Sequence, residues 1–283
     1  MTTVTAGALI PVRVRTRRPI QVMIAGGFLA LVVLAAVCAP LIAPHAPDAV
    51  DLSASLAGTT SEHPLGTDAS GQDLLSRVLY GARSSLLAPL ALLALAALLG
   101  VTIGTVAAWR GGWVDTLLSR VTDVMYAFPG LLFVVLVIAV FGDGLTTSIV
   151  ALGLAYAPTI ARYTRSLALA ERSQPYVDAY RVQGMSGTRI CVRHLVPNLA
   201  GALVGYLVVL FGEGLMSLAT LSYLGFGAGS PSIDWGLMVQ EGQDAVVQEA
   251  LLPALVPGAA IAAVVVAFNI VGVWVSDRLG KGR

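Results

Sequence analysis

One lysine, Lys281, stands in 283 residues, and charged side chains of every kind make up only 12% of the chain. An ordinary soluble domain carries about 25%, so a normal water-facing surface is excluded. The lone lysine also excludes ATP hydrolysis by this chain. A phosphate-cradling loop of the form G-x-x-x-x-G-K-[ST] needs a lysine followed by a hydroxyl residue, and Lys281 sits in "LGKGR" with no Ser or Thr after it. Cysteine is nearly as scarce. Cys38 and Cys191 fall on opposite sides of the membrane in the topology derived below, so no intrachain disulfide is expected. The three histidines, His45, His63 and His194, show no ligand spacing, and no metal site is expected. A net charge of +1 gives no reason to expect nucleic acid as a partner.

What is abundant is hydrocarbon: 57% of residues are hydrophobic and the mean hydropathy is +0.82. Six charge-free windows stand out, at residues 19–47, 84–109, 124–142, 144–161, 194–212 and 250–276. Each can hold a helix of the roughly 17–25 residues that cross a bilayer core about 30 Å thick. The fifth continues past Glu213. Backbone groups in lipid must bond within helices or a closed barrel, and these runs lack a barrel's short alternation. The expected fold is all-α, a polytopic membrane protein with six transmembrane helices and with lipid as its surroundings.

The first window follows Arg13, Arg15, Arg17 and Arg18. Its apolar run exceeds the 7 to 15 residues, roughly, of a signal-peptide core, so it reads as a retained helix with its N-terminus inside. That orientation places 15 of the 17 basic residues on the cytoplasmic side and leaves only Arg77 and Arg83 outside. The positive-inside rule therefore puts both termini in the cytoplasm. The organisation expected is a cytoplasmic tail (1–18), a first transmembrane helix (19–47), an external loop with an amphipathic helix (48–83), a five-helix core (84–276) containing a cytoplasmic segment at 173–197, and a cytoplasmic tail (277–283).

An enzyme reading has one peg. "GMSGT", at 184–188, contains the G-x-S-G string of rhomboid-type intramembrane proteases. A serine nucleophile needs a base and a sheltered oxyanion site, whereas Ser186 lies among Arg181, Arg189 and Arg193, so the string reads as a turn and no catalytic residue is assigned. A self-contained ion-coupled carrier places ionisable groups at membrane depth. Asp123 lies one turn from Arg120, which suggests a local pair. Glu213, near the middle of the fifth span in "LFGEGLMS", either faces a cavity or is satisfied by a neighbouring helix or subunit, and is the candidate pathway residue.

An arginine-bearing polar stretch with a glycine at its centre is "YVDAYRVQGMSGTRICVRHLVP", residues 176–197. Ser173 can cap a helix, Pro175 suits its first turn, and Gly184 can supply a left-handed stop. The result is a helix of about ten residues, roughly 15 Å long, too short to span. Asp178 and Arg181 are i,i+3 partners, Tyr176 and Tyr180 are i,i+4 neighbours, and Ala179 leaves room between them. After a turn at 184–187, "TRICVRHLVP" starts a second helical piece leading into the fifth span. Tyr176, Val177 and Tyr180 form an apolar side that calls for a partner, so this elbow is expected to be a surface for another protein.

The elbow resembles the EAA loop of ABC-importer permeases: Asp178 stands where Glu is usual, Ala179, Gly184 and Pro197 match, and Tyr180 replaces a second alanine. A second block, "HPLGTDASGQDLLSRVLYGARSSL" at 63–86, resembles the signature of dipeptide/oligopeptide permeases of the DppC/OppC type, with Gln72 in place of a common arginine. It reads as a turn at Pro64 and Gly66, a cap at Asp68 or Ser70, and an amphipathic helix with Leu74, Leu75, Val78 and Leu79 on one face, suited to the outer membrane surface. "DVMYAFPGLL", "LSYLGFGAGSPSIDWGLMVQEG" and "AFNIVG" extend the similarity, while Leu218 departs from a frequent Glu.

The resemblance implies a type I ABC importer (MetI-like) permease core in a bacterial plasma membrane. It implies a second related permease subunit, two ATP-binding subunits or domains that hold ATP and Mg, and an extracytoplasmic peptide-binding protein. No cofactor is expected in this chain. Tyr176, Asp178, Ala179, Tyr180, Arg181 and Gly184 are the ATPase-coupling residues it points to. Di- or oligopeptides are the implied cargo; glutathione or nickel complexes in the same architecture, or a self-contained secondary carrier, are the alternatives. Pro89, Pro129, Pro158, Pro253 and Pro257 are expected to kink or adapt spans, and Gly100 with Gly104 to mark a close helix contact.

Overall fold

The computed structural model describes residues 19–227 and 232–280; the arginines of the N-terminal tail, Lys281 and Arg283 lie outside them. The order is α1 (Pro19–Ile42), a 3-10 turn (Leu52–Ala54), α2 (Leu74–Arg110), α3 (Gly112–Ala127), α4 (Gly130–Phe141), α5 (Leu145–Arg172), α6 (Pro175–Val182), α7 (Gly187–Ile190), a π-helical turn (Cys191–Leu195), α8 (Val196–Tyr223), α9 (Trp235–Glu241), α10 (Gln243–Val247) and α11 (Leu252–Gly280). Among the described residues, β-pairing is limited to one isolated bridge, Thr67 with Asp73. The fold is all-α, as expected.

Six spans were expected, and the helices divide differently. Among the described residues, four stretches are long and apolar enough to cross a membrane: α1, α2, the continuous run Gly187–Tyr223, and α11. A fifth counts if α3 and α4 form one span bent by 88°. The bend has a local cause. Pro129 has no N–H to continue the helix and holds Phe128 extended (φ −79°, ψ 133°). The remaining expected span, α5, has the length, but Thr146, Thr147, Ser148, Tyr156 and Pro158 dilute its apolarity. It lies against α2 and tolerates polarity that a lipid-facing helix would not.

The α2–α5 contact is the most extensive among the described residues, and the expected glycine pair lets the two helices approach closely. A Cβ on Gly100 would come within 2.7 Å of the Ile160 Cβ, and one on Gly104 within 2.5 Å of the Ala161 carbonyl oxygen. Small residues let the two backbones meet, where lipid offers no hydrophobic drive for association. Around this pair, Leu92, Ala96, Leu152, Ile160, Leu215 and Leu221 are buried. Phe211 of α8 stacks on Phe268 of α11 at 3.9 Å.

The amphipathic stretch after residue 73 is not a separate surface helix. It forms the first turns of α2, which runs unbroken for 37 residues because nothing between Leu74 and Pro89 stops it, and its N-cap is Asp73 rather than Asp68 or Ser70. A side-chain clamp holds α1 to α2. Pro40 cannot donate to the Ala36 carbonyl one turn back; Arg83 of α2 does so instead, with Nε to Ala36 at 2.7 Å and Nη2 to the Val37 carbonyl at 2.8 Å.

Candidate functional site: the elbow at the end of α2

The polar segment at 173–197 forms the elbow its residue types suggest, with differences in detail. Pro175 opens α6, and the helix is eight residues long. Ser173 does not cap it. Its hydroxyl donates back to the Ala170 carbonyl at 2.8 Å and closes α5, leaving Gln174 as the N-cap without a side-chain bond. Gly184 ends α6 in the left-handed region at φ +76°. Gly184 N–H bonds the Arg181 carbonyl and Met185 N–H the Tyr180 carbonyl, both at 3.0 Å, which is a Schellman motif.

The root of α6 is fastened to three long helices. Val177 is fully buried. Tyr176 donates its hydroxyl to Glu171 of α5 at 2.9 Å, and Asn198 of α8 bonds both the same carboxylate (3.0 Å) and the Tyr176 oxygen (3.2 Å). Tyr180 stacks on His194 at 4.2 Å. Arg181 lies over the Trp109 ring of α2 at 5.1 Å, and Arg172 donates to the Ala108 carbonyl at 2.7 Å. A Cβ on Gly187 would come within 2.7 Å of Trp109 Nε1, so the elbow is seated directly on the end of α2.

This seating corrects one expectation. Val177 is enclosed within the chain and offers no surface to a partner, while Tyr176 and Tyr180 are half-buried and each has a partner inside the chain. The outward face is made instead by Asp178, Ala179, Arg181, Gly184 and Val182, the last 89% exposed. Val182 was not singled out from the sequence, although its position one turn after Asp178 was a usable signal. Asp178 and Arg181 form the expected pair at 3.2 Å, with the Asp178 side chain 72% exposed.

From Gly187 the chain continues through the π-turn at Cys191–Leu195 into α8 as one helical run to Tyr223. The elbow is thus covalently and helically continuous with the base of α8. Glu213 lies on α8 with its side chain on the outer surface of the chain, on the same helix as exposed Met216. Asp123 does not pair with Arg120. Its partner is Arg162 of α5 at 3.1 Å, and Asp115 takes Arg165 in a two-point contact at 2.5 and 2.6 Å. Asp123, Arg162 and Arg165 line a cavity of about 300 Å³ between α2, α3 and α5.

The other end of α2 is also dense in polar contacts. Arg77 bridges Asp68 and Glu241, the latter at 2.7 Å, tying the loop before α2 to α9. Trp235 at the start of α9 bonds Ser85 Oγ and the Val78 carbonyl, both at 3.0 Å. Burial pushes the Asp234 carboxyl above its ordinary range, against the N–H bonds it receives as the α9 cap. His45 and His63, 18 positions apart, come together beside Asp73, with one possible ligand atom from each within 4.8 Å of the others. Sequence spacing gave no hint of this cluster.

A bundle of long apolar helices with a short polar elbow fixed to three of them defines a multi-pass membrane permease. Residues 100–282 match the family of binding-protein-dependent transport system inner membrane components, and the chain belongs to that family. It is thus the permease component of an ABC importer and not an enzyme. A Brucella suis protein named for a peptide transport system permease is 42% identical over 89% of this chain and 84% of its own length. The dipeptide transport system permease protein DppC of Alkalihalophilus pseudofirmus is 33% identical over 87% of this chain and 81% of its own. The glutathione transport system permease protein GsiD of Escherichia coli is 35% identical over 94% and 88%. Among solved structures, the inward-facing MetNI methionine ABC transporter shares the fold, with a TM-score of 0.59 at 17% identity over 72% of this chain and 96% of that one.

Proposed function

We propose that this chain is the permease subunit through which an ATP-driven importer passes di- or oligopeptides across a bacterial plasma membrane, with both termini cytoplasmic. It forms the pathway with a second, related permease. Two ATP-binding subunits or domains hold ATP and Mg, and an extracytoplasmic binding protein delivers the peptide. The chain itself holds no cofactor. The observation that carries this reading is the elbow: Asp178, Ala179, Arg181 and Gly184 are presented outward on a helix whose root is bonded to α5 and α8 through Tyr176 and rests on α2 through Arg181 and Gly187 against Trp109. A partner seated on α6 can move three helices at once, and closure of the ATPases becomes a rigid-body change in the bundle.

Glu213 supports the pathway. A carboxylate on the outer surface of a long apolar helix is costly against lipid, so that face is one the second permease covers or water fills. The relatives named for peptides and dipeptides favour peptide cargo, and those named for glutathione, itself a small peptide, keep that cargo as a second reading.

The test is uptake by the reconstituted complex, with its binding protein and ATPases, of labelled dipeptide, longer peptide and glutathione. ATP-dependent accumulation of a peptide is expected. Uptake that proceeds without the ATPases would return a self-contained carrier to favour, and accumulation of nickel complexes alone would overturn the peptide reading. Glu213→Gln is expected to lower uptake; unchanged uptake across several peptides counts against its pathway role.

A further inference from the structure

We propose that His45, His63 and Asp73 form a binding site for a borderline divalent metal ion, zinc foremost, at the end of α2 remote from the elbow. Two imidazoles and a carboxylate are the donor set of three-ligand zinc sites that keep a fourth position open. His63 Nδ1 lies 3.1 Å from Asp73 Oδ1 and His45 Nδ1 lies 4.0 Å from Asp73 Oδ2. Ligand atoms around tetrahedral zinc are about 3.3 Å apart, as metal–ligand distances near 2 Å require. The first separation already fits. The second is to the other carboxylate oxygen; one ligand atom from each of the three residues lies within 4.8 Å of the others, and His45, 40% exposed beside a fully buried Asp73, has room to turn toward the ion.

The surroundings hold these residues as a built site does. Asp73 Oδ2 accepts from Ser76 N–H at 2.8 Å and from the Ser76 hydroxyl at 2.7 Å, which leaves Oδ1, already in contact with His63 Nδ1, as the oxygen turned to the ion. The same Ser76 oxygen accepts the His45 N–H at 3.1 Å, so one fully buried serine orients two of the three ligands. His63 is fixed through its backbone: its N–H donates to Thr60 Oγ1, and its carbonyl accepts from Thr60 and Gly66, each at 2.9 Å. Outer contacts of this kind set ligand orientation in metal sites and matter nearly as much as the ligands. A helix cap alone explains Asp73 and its bond from His63. It does not explain His45, whose ring lies 4.8 Å from that of His63 beside the same carboxylate.

The ion's place in the fold states its role. His45 follows α1, His63 belongs to the loop, and Asp73 caps α2, so a bound metal staples the outer end of α1 to the core. Otherwise α1 relies on Arg83 for its polar attachment to α2.

Zinc chloride alone is the probe, added to the assembled complex carrying the full chain. After dialysis, metal is counted by mass spectrometry, and wild type is compared with His45→Ala, His63→Ala and Ser76→Ala. The difference between wild type and variants assigns the ion to this chain. One zinc per chain is expected in wild type. Affinity is expected to fall about tenfold or more in either histidine variant and about 10- to 100-fold in Ser76→Ala. His45 is exposed, so its variant is expected to unfold at the wild-type temperature in EDTA and to lose only the zinc-dependent rise. Wild type that retains no zinc, or His45→Ala and His63→Ala variants that retain it undiminished, overturn the proposal.

Discussion

The two ends of α2 solve the problem of polar groups in opposite ways. At the Leu74 end the charges are turned inward: the Arg77 and Asp68 side chains are 7% and 8% exposed and bound to each other, and Asp73 is fully enclosed. At the Arg110 end the ion pair is turned outward: Asp178 and Arg181 are 72% and 42% exposed, and the joints beneath them are the ring contacts of Trp109 and Tyr180 and the bonds that buried Glu171 receives from Tyr176 and Asn198. Enclosed ions lock an arrangement, because separating them strands a charge. Stacked rings and a few hydrogen bonds hold a lever that can be pushed as a unit. The first end therefore reads as a fixed lock and the second as a moving part.

Three changes test that contrast, in falling order of effect on stability. Arg77→Met leaves Asp68 buried without its partner and is expected to cost about 3–5 kcal/mol, seen as an early unfolding midpoint in mild detergent. A midpoint near wild type would mean that the lock is not one. Tyr176→Phe removes the hydroxyl that links Glu171 and Asn198 and is expected to cost about 0.5–1.5 kcal/mol. It should also loosen coupling, so that basal ATP turnover rises relative to peptide-stimulated turnover; an unchanged ratio would remove that bond from the lever. Asp178→Asn breaks only an exposed pair, worth about 0–1 kcal/mol, so unfolding should hardly move while stimulation of the ATPases falls. If stability fell and stimulation held, the assignments of the two ends would be reversed.

Local features of the elbow were legible in the sequence. Pro175, Gly184 and the Asp178–Arg181 pair depend on neighbours within a few positions, and helix periodicity resolves such contacts. The close approach at Gly100 and Gly104 was legible for a similar reason, since small residues one turn apart mark a groove whatever fills it. What escaped depends on distant chain. Asp123 had an acceptable local partner in Arg120, and nothing nearby revealed that Arg162, 39 positions on, would take its place. The charge-free window ending at residue 161 hid the length of α5, because acids on α3 receive Arg162 and Arg165 and let the helix run on to Arg172. The stacking of Tyr180 on His194, 14 positions on, was equally hidden. His45 and His63 meet only because the loop folds back on the start of α2.

The central claim is that α6 transmits work between this chain and its ATPases. Gly184 offers the cleanest handle, since it holds φ +76° in open space with nothing within 4 Å of an added Cβ. Gly184→Val therefore costs about 1–2 kcal/mol through the left-handed backbone alone, while Gly184→Asn keeps that conformation at little cost. The direct measurement is ATP hydrolysis by the reconstituted complex with and without loaded binding protein. The valine variant is expected to insert and assemble yet lose stimulation, and the asparagine variant to keep it. Full stimulation in the valine variant would contradict the coupling role of the elbow.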